Sequence, residues 1–597
     1  MTILPIVALS AAVLLVAYVV YGRLLIRWLG VDPSRPTPAC ELQDGNDYVP
    51  APAPVVLGGH FTAIAAAGPV VGPILAGLMF GWLPALLWIL LGAIFIGGAH
   101  DSGALLASIR HRAQSITQVV RAHMSRTAYL TFLLFVWLSL IYVIIAFADV
   151  TAGSFAKFQA FTEPASTATG GARTYALNGG AVAIGAAGYL LASVSLGLLF
   201  RFTRVRWWAL LIVHFAGLIA TIHYAPALAQ WLADRGLGFL STEGKDAVSL
   251  ATRCVLALLA YCFVASIVPM WLLLQPRGII GATFLYAALF FGVTGTIAGG
   301  WSVDGSLAVQ YPAFTGFTAA NGQMLFPFLF ITIACGACSG FHSVVASGTT
   351  CKQVRSERDI KPIAYGAMLL EAMVAVFALS CVMVLAPGSS AGTPDFVYAQ
   401  GIANFMNLIG IDKQFALGFG LLAFSSFVFD TLDVCTRLGR YVFQELTGLS
   451  GLVGGAIATL ATIAGPAVYL WYAPPEWGFR TFWTIFGTSN QLLAALTLVG
   501  ISVWLWRTGR PVWFALAPAG FMLASTGTAL VLNLVAFFEQ YRAAVGQLKP
   551  AAPILVNMTV AALLLALGLL VVAEALRVWR QSRLQPVAAG ASGGTRR

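Results

Sequence analysis

Runs of about twenty apolar residues recur along this chain, each long enough to cross the hydrocarbon core of a bilayer as a helix. Inside lipid every backbone N–H and C=O must find a partner within the protein, so unbroken apolar runs fold there as α-helices. The runs and their charged punctuation mark fifteen candidate spans, at approximately 3–22, 56–80, 84–107, 128–148, 178–200, 207–226, 251–274, 279–299, 324–347, 363–386, 414–434, 451–472, 482–505, 512–536 and 554–576. Composition agrees: 59% of residues are hydrophobic and 9% charged, against about 25% charge in a soluble domain. The fold class expected is an all-α polytopic membrane protein. Its first run, Ile3 to Tyr21, reads as a retained span rather than a cleaved signal.

A net charge of +11 invites a nucleic-acid reading, but the positions of the basic residues point to the bilayer instead. Alternate connections hold Arg23, Arg27 and Arg35; Arg110, Arg112, Arg121 and Arg126; Arg201, Arg204 and Arg206; Arg277; Lys352, Arg355, Arg358 and Lys361; Arg437 and Arg440; Arg507 and Arg510; and the five from Arg577 onward. That is 24 of the 33 basic residues on one side. The positive-inside rule then places the N-terminus outside and the C-terminus in the cytoplasm, with no nucleic acid as partner.

One span departs from the pattern. Residues 56–80, VLGGHFTAIAAAGPVVGPILAGLMF, carry His60, Thr62, Gly68, Pro69, Gly72 and Pro73 within an apolar run. Each proline removes a backbone N–H and frees a carbonyl one turn back, which is tolerated at membrane depth only against protein or a water-filled cavity. The expectation is a half-helix ending near Ala67, a Gly-Pro break and a second half-helix starting near Pro73. Broken helices of this kind hold substrates and coupling ions in secondary transporters; the alternative is a kinked helix without a ligand. The span at 324–347, carrying Gly336, Ser339, Gly340, His342, Ser343 and Ser347, would run in the opposite direction, as an inverted repeat requires.

Ionisable residues fall inside other spans: His100 and Asp101 in the third, Glu371 in the tenth, and Asp430 and Asp433 at the cytoplasmic end of the eleventh. A carboxylate at a helix centre costs about 2.5–3.5 kcal/mol on insertion scales, so such residues face a bundle interior or water. Asp433 has Arg437 at i+4 and reads either as an ion pair or as a proton carrier. Asp430 lacks a basic neighbour on its own face and is the sharper candidate for protonation. Ser425, Ser426, Thr431 and Thr436 supply hydroxyls suited to an alkali ion or to helix contacts. The eight cysteines imply no external disulfide framework, and Cys335 and Cys338 form a CxxC without a second pair. With His342 a metal site is conceivable there, but packing is the expected role, and no cofactor is called for. No GxxxxGK[ST] or HExxH occurs, so the chain reads as neither an ATP-driven pump nor an enzyme.

The runs DGNDYVP (44–50), GGHFTAIAAAGPVVGPILA (58–76), ACGACSGFHSVVASGTTCKQ (334–353), YGAMLLEA (365–372), TLDVCTRLGRYVFQEL (431–446) and FGTSNQLLAAL (486–496) resemble the signature blocks of the carbon starvation protein A (CstA) family. The resemblance implies a transporter of the bacterial inner membrane in the amino acid–polyamine–organocation superfamily. Its core would be five plus five spans related by inversion, with two discontinuous helices. It further implies uptake of peptides or pyruvate, coupling to protons, a role in nutrient scavenging during carbon starvation, and a small accessory protein. His60, His342, Asp433, Asn490 and Gln491 match their blocks. The family more usually has a second histidine beside His60, where this chain has Gly59, and a threonine where this chain has Asp430.

Taken together, the expected layout is an N-terminal helix and cytoplasmic connection over 1–55 and a transporter core over 56–506. The core divides into a first repeat at about 56–226, inserted helices at about 251–299 and a second repeat at about 324–506. C-terminal accessory helices follow at 507–580, then a disordered tail at 581–597. Substrate would be held by His60, Thr62, Gly68, Pro69, Gly72, Pro73, Ser339, Gly340, His342, Asn490 and Gln491, with the half-helix ends at Pro73 and Gly340 facing a carboxylate. Asp101, Ser425, Ser426, Asp430, Asp433 and Thr436 would serve the coupling proton or ion, sodium being the alternative. Readings from other classes are a channel, disfavoured by the absence of a continuous polar lining, a membrane-embedded metal or haem protein using His60, His100, His342 and Cys338, and a nutrient sensor without transport.

Overall fold

The computed structural model describes residues 2–45, 48–65, 67–156, 158–163, 173–235, 247–300, 307–386, 392–472, 478–545 and 548–584. Among them 13 helices are long and apolar enough to cross a membrane, or 14 if the bent pair Ala53–Ile64 and Gly68–Phe80 is one span. The protein is thus a multi-pass membrane protein, with fewer continuous spans than the fifteen expected. Of the two that are not continuous, 56–80 is the bent pair, and the segment at 324–347 forms two short helices, Leu325–Thr332 and Gly340–Gly348, with non-helical chain between. An antiparallel ribbon, Phe158–Glu163 paired with Arg173–Asn178, interrupts the otherwise helical fold. From residue 585 the expected disordered tail lies outside the described residues.

Burial sorts the helices into a centre and a rim. The most apolar window is 94% buried in Trp483–Arg507 and 89% in Lys413–Thr447, but only 22% in Trp207–Asp234. A helix hidden on all sides belongs to the bundle core, and one exposing apolar side chains faces lipid. Lys413–Thr447 packs against Arg126–Ala156, Leu274–Gly300, Pro394–Leu408 and the half-helix Ala53–Ile64. Asp412 caps its start by accepting from the Phe415 N–H at 2.9 Å, and Gly448, at φ 77°, ends it in the left-handed conformation.

This helix runs well past the expected boundary at 434. Its later polar residues are screened by neighbouring helices rather than by water, which a hydropathy profile does not register. Asp430 and Asp433 therefore sit inside the helix and not at its end. The short, buried helix Pro394–Leu408 was not anticipated, being too brief to span and too polar to stand out.

Candidate functional site

The first half-helix stops at Ile64, with Ala65 outside helical geometry, and the second runs from Gly68 to Phe80 at 45° to it. The restart comes earlier than expected, and Pro73 lies inside the second half-helix. Proline fits the first turn of a helix, where its missing N–H has no intrahelical partner. Pro69 therefore opens this helix, and Pro73 forfeits only the bond back to the Pro69 carbonyl.

The two breaks meet. A Cβ added at Gly68 would collide with Cys335, and one at Gly72 would lie 2.5 Å from the Thr332 carbonyl oxygen. Carbonyls freed by the second break are taken up by side chains: Trp88 Nε1 donates to Ile333 O at 3.2 Å, Trp483 Nε1 to Thr332 O at 3.4 Å and Gln491 Nε2 to Phe330 O at 3.1 Å. At the start of Gly340–Gly348, Asn490 Oδ1 accepts from the Phe341 N–H at 3.0 Å and from Ser339 Oγ at 3.2 Å. Asn490 and Gln491, expected to hold substrate, brace the broken segment. Gly340 sits so close to Trp483–Arg507 that a Cβ would be 2.5 Å from Ala494 N and Asn490 O.

His342, in the first turn of that half-helix, lies between two carboxylates. Its Nδ1 is 2.9 Å from Asp101 Oδ2 and its Nε2 3.2 Å from Glu371 Oε2, while Asp101 Oδ1 is 2.7 Å from His100 Nδ1. All four side chains are fully buried. A neutral imidazole carries one N–H and cannot donate from both nitrogens. Only Nδ1 is hydrogen-bonded, to Asp101; Nε2 faces Glu371 at ion-pair distance, and neither Nε2 nor the Glu371 oxygens have a hydrogen-bond partner among the described residues. Glu371 and His100 were missing from the expected site; their signal was charge within an apolar run.

A second cluster forms around Arg277, which sequence reading assigned to a cytoplasmic connection. It lies in the first turn of Leu274–Gly300, after Pro276, and is 0% exposed. Its Nε pairs with Asp430 Oδ1 at 2.8 Å and its Nη1 with Asp433 Oδ2. Tyr261 OH donates to Asp433 at 2.7 Å, and Tyr189 OH lies 3.0 Å from the Arg277 carbonyl and 3.2 Å from Asp430 Oδ1. The i+4 pair of Asp433 with Arg437 does not form: Arg437 donates to the Ala265 and Val268 carbonyls at 2.7 and 2.6 Å. Arg277 wins because a buried charge needs an opposite one, whereas Arg437 can cap a helix end.

Asp430 also lines a cavity of about 360 Å³ with His60, Thr62, Thr350, Gln353 and Arg201. There His60 Nδ1 is 2.9 Å from Thr350 Oγ1, and Thr62 Oγ1 donates to the Gly58 or Gly278 carbonyl. A second cavity of about 430 Å³ lies toward the other end of the bent pair, against Leu75, Thr332 and Trp483. Of the remaining candidates, Ser426 and Thr436 bond carbonyls of their own helix at 2.7 and 2.8 Å. Ser425 Oγ is buried without a hydrogen-bond partner among the described residues. Among the described residues no group of three or more His, Cys, Asp or Glu side chains is placed to hold a metal ion.

Compared with known proteins, the family described as Carbon starvation protein CstA matches residues 2–392 and 388–529. A peptide transporter CstA of Bacillus subtilis is 30% identical over 645 residues, covering 98% of this chain and 98% of that one. The pyruvate/proton symporter BtsT of Escherichia coli is 30% identical over 620 residues, covering 89% of this chain and 81% of that one. Among solved structures, a mutant manganese transporter of Eremococcus coleocola aligns over 90% of this chain and 99% of its own, with TM-score 0.41 and 14% identity.

Proposed function

The chain belongs to the carbon starvation protein CstA family, and from that premise we propose that it is a secondary transporter importing small carboxylate-bearing nutrients, peptides or pyruvate, with protons. The observation that carries this reading is His342 held between Asp101 and Glu371 beside the junction of two broken helices. Buried ionisable groups in a membrane bundle are costly and mark ion and substrate paths. An imidazole set between two carboxylates is suited to take up and release one proton. The relatives named for peptide transport and for pyruvate/proton symport agree in substrate chemistry, since both cargoes end in a carboxylate.

In this reading the cavity at His60, Thr62 and Asp430 receives substrate from one face and the cavity at Trp483 from the other, by alternating access. The transporter core is 56–506, with repeats at about 56–226 and 324–506 in the manner of the amino acid–polyamine–organocation superfamily. The chain lies in the bacterial inner membrane with its N-terminus outside, and serves nutrient scavenging in carbon starvation.

The test is uptake of labelled pyruvate and of a labelled dipeptide by proteoliposomes, with and without an inward proton gradient, sodium being varied separately. Accumulation of one substrate only under the proton gradient is expected. Accumulation driven by sodium alone, or none under any condition, would overturn the coupling or the substrate respectively.

A further inference from the structure

Asp430 does two things at once: it lines the cavity and it covers Arg277, whose flanking residues Pro276 and Gly278 reach the cavity wall while Arg277 itself does not. The cover is partial. Asp430 sits against Nε as an ion pair, and Nη2 on the same edge is buried with no hydrogen-bond partner among the described residues. The Nε–Nη2 edge of a guanidinium is a two-pronged fork that matches a carboxylate.

We propose that Arg277 is the anchor for the substrate's carboxylate and that Asp430 is its removable cover: when Asp430 takes a proton, the Nε–Nη2 edge passes to the incoming carboxylate. This inference rests on the carboxylate-substrate reading above and adds the group that binds the cargo. Its charge balance is closed. Arg277, Asp430 and Asp433 ionised together carry one net negative charge. With Asp430 neutral and a substrate carboxylate in place the sum is again one negative charge, so the cargo enters the apolar interior without adding to it. Entry without the proton would put three carboxylates around one guanidinium, a net charge of two negative, which burial penalises heavily. Proton and substrate therefore favour each other's binding by the same factor.

The titratable and charged groups around Asp430 are Arg277 and Tyr189 at contact, Asp433 one turn along its own helix with Tyr261 against it, and His60 and Arg201 on the cavity wall. Gly281 makes the arrangement sterically open: a Cβ there would lie 2.5 Å from Asp430 Oδ2 and 2.8 Å from Thr62 Cγ2.

The experiment measures binding of pyruvate, of a dipeptide and of the same dipeptide amidated at its C-terminus, to the purified full-length protein at acidic and alkaline pH. Wild-type affinity for the two acids should fall about tenfold or more on going from roughly pH 5.5 to pH 8, and the amide should not bind. Asp430→Asn, a fixed stand-in for the protonated acid, should bind the acids with little pH dependence. Arg277→Lys, which keeps the charge and loses the fork, should bind them weakly at both values. An Asp430→Asn variant retaining the wild-type pH dependence, or an amide bound as tightly as the acid, would overturn the proposal, and neither outcome needs the Arg277 variant to fold. Acids that bind as described but are not accumulated in proteoliposomes would defeat the transport reading alone. Failure of every acid to bind at either pH would overturn both.

Discussion

The two buried charge clusters share a chemistry, carboxylates in an apolar bundle, yet differ in what they face. His100, Asp101, His342 and Glu371 are 0% exposed and line neither of the two cavities beside the broken helices. The Arg277 cluster reaches a cavity through Asp430. In the closed cluster the cations are imidazoles, which can be neutral; in the open one the cation is a guanidinium, which stays charged. A closed cluster of titratable groups is suited to storing a proton, and a fixed charge behind a movable acid is suited to meeting an anion. The contrast breaks into separable expectations.

The largest effect falls on the fixed charge. Arg277→Met leaves Asp430 and Asp433 buried without a cation and should cost about 3–5 kcal/mol of stability. Adding Asp430→Asn and Asp433→Asn should return much of that loss, read as the thermal unfolding midpoint in detergent. No recovery in the triple variant would mean that Arg277 contributes through packing rather than charge. Next comes the closed cluster. Glu371→Gln keeps size and burial but removes an ionisable acid, so accumulation under a proton gradient should drop about tenfold or more, with binding of carboxylate ligands near wild type. A loss of ligand binding instead would merge the two clusters into one site.

A smaller effect tests the brace between them. Asn490→Ala strips a partner from the Phe341 N–H and from Ser339, and should cost about 1–3 kcal/mol, whereas Ser426→Ala, which removes only a bond to its own helix, should change little; both are read as unfolding midpoints in detergent. The smallest lies outside the spans. His123 Nε2 is 2.8 Å from His111 Nε2, and burial, then His111 and Arg507, pushes His123 down to about 4 from 6.5. Neutral when folded and protonated when unfolded, it contributes stability above pH 6.5 that is lost as pH falls toward 4. His123→Gln should flatten that part of the wild-type stability profile.

Much of this was legible in the chain because glycine and proline punctuate apolar runs. Val56 to Phe80 announced its own break, but both the end of the first half-helix, at Ile64, and the restart, at Gly68, come earlier than expected, since Pro69 and Pro73 look alike until one knows which begins the helix. The Arg277 cluster was not legible. A rule that reads basic residues as loop markers must assign an arginine beside a proline to a connection, and its two partners lie more than a hundred residues away in sequence. Local spacing likewise favoured Arg437 for Asp433. Spacing gives the pairs a helix permits, but desolvation chooses among them, and desolvation depends on neighbours from other parts of the chain. Asn490 and Gln491 stand out as polar side chains in an apolar run, but an amide suits a substrate and a stray backbone group equally well, and only the packing of the second break decides which it meets.

The amide of Asn490 holds the start of Gly340–Gly348, and Gly340 is pressed against the Asn490 and Ala494 backbone. The helix Trp483–Arg507 and the half-helix bearing His342 are therefore riveted into a single lever. Two turns along from Asn490 on that lever is Trp483, in the wall of the 430 Å³ cavity. A tilt of this half-helix at His342 would therefore carry Trp483, and with it the wall of that cavity.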